Sequence, residues 1–215
     1  MSRVICWLLG LTILSLAAPT LAATRTLVVK GGLSLATVTD GFEFVNPQSK
    51  QGFTGAVALE LPLAPRLSIA PELGYAMRGL SLGESEYRDF TGTPLGTFES
   101  FQETEYLTVG VPFSLAIPTG PIGFSLSTGP QVAIKTAERL VLRGAINESV
   151  NTKGFTSSDA GWLFGAGADV GLGPGRVGFE ARYVFGLTNL NNVGPEEFKN
   201  RAFEILATWK HPLGN

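Results

Sequence analysis

Residues 177–188, VGFEARYVFGLT, constrain the fold most tightly. Val177, Phe179, Ala181, Tyr183, Phe185 and Leu187 alternate with Gly178, Glu180, Arg182, Val184, Gly186 and Thr188. An extended strand sends successive side chains to opposite faces, so this stretch is an apolar ribbon backed by small and charged residues. A helix would scatter both sets around its circumference. The same two-sided pattern returns at 27–38, 53–61, 67–77, 105–116, 122–134, 162–172 and 202–210. Eight strands are therefore expected, and the chain reads as all-β.

The connections alternate long and short. Pro62-Leu63-Ala64-Pro65, Pro118-Thr119-Gly120 and Gly173-Pro174-Gly175 are compact turns, whereas 40–51, 80–103, 135–158 and 189–200 are long polar stretches. Long external loops, short periplasmic turns and strands that cross a bilayer when tilted describe an antiparallel up-and-down barrel in an outer membrane. A soluble, lipocalin-like ligand-binding barrel also alternates. A face turned to water carries many charges, but here the non-aromatic face is mostly Gly, Ala and Ser, which suits a narrow lumen filled by side chains. Charged residues make up 16% of the chain, against about 25% in soluble domains, in keeping with an outer wall turned to lipid. Phe53, Tyr75, Trp162 and Phe185 sit toward one end of the apolar faces, and Phe113, Phe124, Phe179 and Trp209 toward the other. Such rims match the aromatic girdles of membrane interfaces.

Residues 1–22 read as a cleaved signal peptide, leaving 23–215 as one barrel domain. Arg3 precedes an apolar run over 4–18, and Thr20-Leu21-Ala22 supplies small residues for cleavage. Cys6, the only cysteine, falls in that segment, so no disulfide is expected after it. A formal net charge of −2 gives no reason to expect a nucleic-acid partner.

Several pieces resemble the PorT-type family of small outer-membrane β-barrel proteins. They are Pro71-Glu72-Leu73-Gly74-Tyr75 with Arg78-Gly79, Tyr106-Leu107-Thr108-Val109 with Pro112, and Gly129-Pro130-Gln131-Val132. Phe164-Gly165-Ala166-Gly167, Ala181-Arg182-Tyr183, Gly186-Leu187-Thr188-Asn189 and Lys199-Asn200-Arg201 complete the likeness. The resemblance implies an outer-membrane location and, as in some members, a task accessory to protein secretion.

Catalytic and cofactor chemistry has little to work with. The single histidine, His211, lies at the periplasmic end of the last strand, far from an outer-rim base. Without histidine or cysteine clusters, no transition-metal site is expected, and no cofactor is foreseen. The residues singled out are the inward charges Lys30, Glu60, Glu72, Arg78, Asp169, Glu180, Arg182, Glu204 and Lys210. Charges away from water are costly unless paired, so they should form a luminal network. Glu180 and Arg182 are expected to reach Lys210 and Glu204, and Lys30 to have Glu60 beside it. The second candidate site is the loop 80–103, where Tyr87, Phe90, Phe98 and Phe101 form a possible external contact surface. The reading that follows is a non-enzymatic envelope protein with outer-membrane lipid around it and an envelope or secretion protein as partner. A narrow pore or small-ligand carrier is its rival.

Overall fold

The computed structural model describes residues 24–39, 48–145, 147–152, 156–190 and 197–214. The proposed signal peptide lies outside them, as do parts of the expected connections 40–51, 135–158 and 189–200. Eleven strands follow in order: β1 (Arg25–Val38), β2 (Gln48–Ala64), β3 (Leu67–Ile69), β4 (Glu72–Arg88), β5 (Pro94–Gly110), β6 (Phe113–Thr119), β7 (Ile122–Gly144), β8 (Glu148–Asn151), β9 (Ser158–Leu172), β10 (Gly175–Gly186) and β11 (Asn200–Leu213). All pairings are antiparallel, and the order β1-β11-β10-β9-β7-β5-β4-β2 closes because β1 also pairs β2. The molecule is an eight-staved barrel.

Eleven strands make eight staves because two staves are broken. The expected strand 67–77 is split into β3 and β4 at Ala70-Pro71, and 105–116 into β5 and β6 at Val111-Pro112. Proline has no N–H for the ladder, so each break falls where the donor is missing. Carbonyls keep the wall continuous: Ala70 N donates to Pro112 O (2.8 Å), Leu59 N to Pro71 O (3.0 Å) and Val111 N to Pro130 O (3.0 Å).

At the periplasmic end the turns are tight. Two use Gly-Pro: Gly120 (φ +79°) and Gly173 (φ +58°) take the positive φ at the first central position, and the fixed proline φ suits the second. The opposite end departs from expectation. Residues 80–103 are largely the outer halves of β4 and β5, each 17 residues long, joined by a short turn. β7 likewise runs 23 residues to Gly144, with β8 paired on its edge. About 9–11 tilted residues suffice to cross a bilayer, so β4, β5 and β7 continue beyond it as a ribbon. The apolar–polar alternation fades there because no lipid lies against these segments, so charged residues such as Glu103 and Glu138 can be buried in ion pairs while the backbone goes on pairing.

The outer wall carries the apolar faces. All eight rim aromatics named above are exposed, as are Val29, Leu33, Val57, Leu73, Leu107, Val109, Leu126, Val132, Phe164, Tyr183, Phe203 and Ile205. The inward set is buried in the lumen and includes Val28, Ser34, Ala58, Thr108, Leu163, Val184 and Leu206.

Candidate functional site

The lumen is filled in layers. At the periplasmic mouth Lys210 Nζ meets Asp169 Oδ2 at 2.9 Å, and Arg176 holds the other oxygen. Glu60 stands apart, accepting a hydrogen bond from Ser68 Oγ at 2.6 Å. One layer further in, Arg182 lays its guanidinium on Glu72 as a two-pronged fork, Nη1 to Oε1 at 2.7 Å and Nη2 to Oε2 at 3.1 Å. The same guanidinium reaches Glu180 Oε1 at 3.2 Å, while Lys30 Nζ bridges Glu180 (2.8 Å) and Glu72 (3.4 Å). Two cations and two carboxylates thus form a closed, neutral quartet. Beside it Arg78 Nη2 donates to Gln131 Oε1 at 2.9 Å and lies 3.7 Å from Glu204. Above, Ala36, Leu163, Val184 and Ala202 pack together, Asn200 donates to Asp159 at 2.8 Å, and Val38, Leu80, Leu190 and Phe198 close the outer end.

Space for the quartet comes from small residues on β9. A Cβ on Gly165 would lie 2.4 Å from Ser127 Oγ and 2.9 Å from Glu180 Oε1, so glycine leaves room for the carboxylate to turn toward Lys30.

The structure gathers Lys30, Glu72, Glu180 and Arg182 into one cluster, Arg78 with Glu204, and Asp169 with Lys210. Two expected pairings are corrected. Glu180 does not reach Lys210, because the register sets Glu180 opposite Leu206 and Lys210 opposite Arg176, nearer the mouth. Glu60 does not flank Lys30: it is level with Thr26, whereas Lys30 is level with Ala56. Arg176 and Gln131 escaped the sequence reading as partners, although both share the inward parity of their strands.

Outside the bilayer the ribbon divides the four aromatic residues of 80–103. Phe101 is half-buried under Lys50 (5.1 Å) and Arg143 (5.4 Å), and Phe98 is half-buried as well. Around them Glu103 Oε1 takes Lys50 at 2.8 Å, and Arg139 pairs with Glu105. Tyr87 and Phe90 are instead presented, Tyr87 at 41% exposure and Phe90 at 102%. The turn bearing Phe90 is held by hydrogen bonds from both of its ends. Asp89 Oδ1 accepts from Thr91 N (2.8 Å), Thr93 N (2.8 Å) and Thr91 Oγ1 (2.6 Å), and Arg88 Nη1 donates to Gly92 O at 2.9 Å. The Thr91 hydroxyl, then the Thr93 amide, holds the Asp89 carboxyl below its ordinary value. The charges of this belt were hidden in the sequence because 80–103 and 135–158 read as loops. Register pairs such as Glu103–Arg139 and Glu99–Arg143 carried the signal.

With closed ring, apolar outer wall and filled lumen in place, residues 22–192 match the family model of the outer membrane protein beta-barrel domain. The chain belongs to that family. The barrel domain accordingly resides in the outer membrane, with its apolar faces against lipid, and the soluble lipocalin-like alternative is set aside. Among solved structures, this barrel domain is similar to a major outer membrane protein from Thermus thermophilus, at 13% identity and a TM-score of 0.48, covering 88% of this chain and 100% of that one. It is also similar to Neisserial surface protein A, at 13% identity and TM-score 0.47, over 87% and 97% of the two chains. A third similarity is to Ail, the attachment invasion locus protein of Yersinia pestis, in complex with the heparin analogue sucrose octasulfate, at 12% identity and TM-score 0.44, over 88% and 99%. No curated protein sequence matches the chain. In the family's orientation the short Gly-Pro turns are periplasmic and the β4–β5 ribbon is outside the cell. His211 then sits at the periplasmic interface, stacked on Trp209 with ring centroids 5.2 Å apart.

Proposed function

We propose that the protein is a non-enzymatic outer-membrane barrel with a closed lumen, accessory to envelope transport or secretion, which acts through its external ribbon on a protein partner. The observation that carries this reading is Phe90, wholly exposed on a turn that Asp89 and Arg88 hold rigid, at the end of a paired ribbon well clear of the bilayer. A bare aromatic ring costs solubility unless it is used, and aromatic residues are the usual anchors of interfaces. Tyr87 extends that anchor, while Phe98 and Phe101 act as its base. The luminal charges Lys30, Glu72, Glu180 and Arg182 serve closure in this reading. Because the quartet is internally neutral, no dry path for an ion runs past it without breaking a buried pair. The likeness to PorT-type barrels belongs to the same proposal and supports the accessory role. Residues 1–22 are its export signal.

A photo-crosslinking amino acid placed at Phe90, in the full protein in its own outer membrane, tests the reading. The expected result is a discrete protein adduct at position 90, absent from the same probe at lipid-facing Val109. Identical adduct patterns at the two positions would overturn it.

A further inference from the structure

The periplasmic mouth holds a cavity of about 570 Å³, lined by Glu60, Arg66, Ser68, Ser114, Ser125 and Asp169 among others. It narrows into a chamber of about 40 Å³ whose wall includes Lys30 and Glu180. Lys30 and Glu180, the near side of the quartet, therefore line the inner end of a pocket open on one side, with Glu72 and Arg182 behind them. Its volume falls in the range of sites for small molecules, roughly 300–1,000 Å³.

The charges on its wall are unevenly satisfied. Asp169 is taken by both Lys210 and Arg176, one carboxylate held between two cations. Glu60 keeps a hydroxyl donor, Ser68, but among the described residues no cation lies within 4.0 Å of it. Arg66, on the β2–β3 turn, likewise has no carboxylate within that distance among the described residues. One carboxylate and one guanidinium, neither with an ion-pair partner among the described residues, thus face a single cavity among serine hydroxyls. Its rim is built with Pro62, Pro65 and Pro118, which offer no N–H to compete for a ligand's acceptors.

We infer that the mouth is a binding site for a small zwitterionic solute of amino-acid or dipeptide size. The ammonium group of such a solute meets Glu60, its carboxylate meets Arg66, and Ser114 and Ser125 are placed for its remaining polar atoms. Charge-assisted hydrogen bonds at both ends make the contact stronger than neutral ones would. A solute with a single charge answers only one of the two wall groups. Since the inner end is closed, the site receives its ligand from the periplasm and returns it there.

The test uses the full protein refolded in detergent, with alanyl-alanine as the probe, followed by equilibrium dialysis. The zwitterion should bind at least ~10-fold more tightly than its N-acetylated or its C-amidated form. Glu60→Gln should erase the preference over the N-acetylated form, and Arg66→Gln the preference over the amide, with heat-modifiable barrel migration retained in both. A Ser125→Cys variant in a Cys6→Ser background, blocked with a bulky maleimide, should lose binding. Equal affinity for the three forms, or no saturable binding of the zwitterion at ~10 mM, would overturn the inference. So would binding undiminished by the blocked thiol, because the site would then lie elsewhere.

Discussion

At the scale of the residue, Arg182 carries the most weight. Its side chain is 3% exposed and its guanidinium is forked onto Glu72, which also depends on Lys30. Removing the guanidinium as Arg182→Met leaves two carboxylates around one ammonium, with the Glu72 side chain only 2% exposed. Breaking a buried pair in this way costs roughly 3–5 kcal/mol. Removing both members is gentler, since Lys30 and Glu180 remain matched at 2.8 Å. The double variant Arg182→Met/Glu72→Gln should therefore unfold at a higher urea concentration than Arg182→Met alone, measured by the gel shift of the folded barrel. A single variant as stable as the parent would show that water reaches the quartet. Which charges face inward was legible from strand parity. Which of them touch was not, because contact across the bore depends on the stagger between staves.

At the scale of the element, the staves and the ribbon obey different solvents. Val109 on β5 faces outward at 45% exposure, so Val109→Arg should destabilise the barrel by about 2–4 kcal/mol if it lies near the midplane. Ser125→Arg on β7 enters the wall of the mouth cavity, where water can solvate it, and should cost far less. Chemical denaturation of both variants in the same detergent provides the comparison. The Asp89 turn supplies a pH dependence confined to the ribbon. Its carboxyl is held below the ordinary value of 3.8, so the turn's stabilisation is present above that pH and is lost as pH falls through the lowered folded value. Acid titration should loosen the amide signals of Thr91 and Thr93 while those of β10 stay fixed. Strand existence was plain in the sequence, but strand length was not. Alternation reports an apolar face set against a polar one, and the outer halves of β4, β5 and β7 have no lipid to demand the apolar one.

At the scale of the whole molecule, closure is what the filled lumen contributes. Eight staves enclose a bore that side chains can occupy, and here the quartet, the Ala36-Leu163-Val184-Ala202 cluster and the Val38-Leu80-Leu190-Phe198 cap lie in series along it. In planar bilayers the barrel should show no stable ohmic conductance. Arg182→Ala should introduce brief openings at most, because the apolar layers above remain. Steady channels from the unmodified protein would remove the closed-lumen proposal and favour the pore.

The amino-acid order by itself determined the all-β class, the eight-stave wall, the face that meets lipid and the tight turns at one end of the barrel. These follow from a period of two and from proline and glycine at the turns, all local properties of the chain. Only the tertiary structure decided that Glu72 and Arg182, 110 residues apart, form a fork, that Lys210 belongs to Asp169, and that Glu60 and Arg66 share a cavity at the mouth. Those neighbours are set by how far each stave slides against the next when the sheet closes on itself. That shear is a property of the whole ring, and no single strand encodes it.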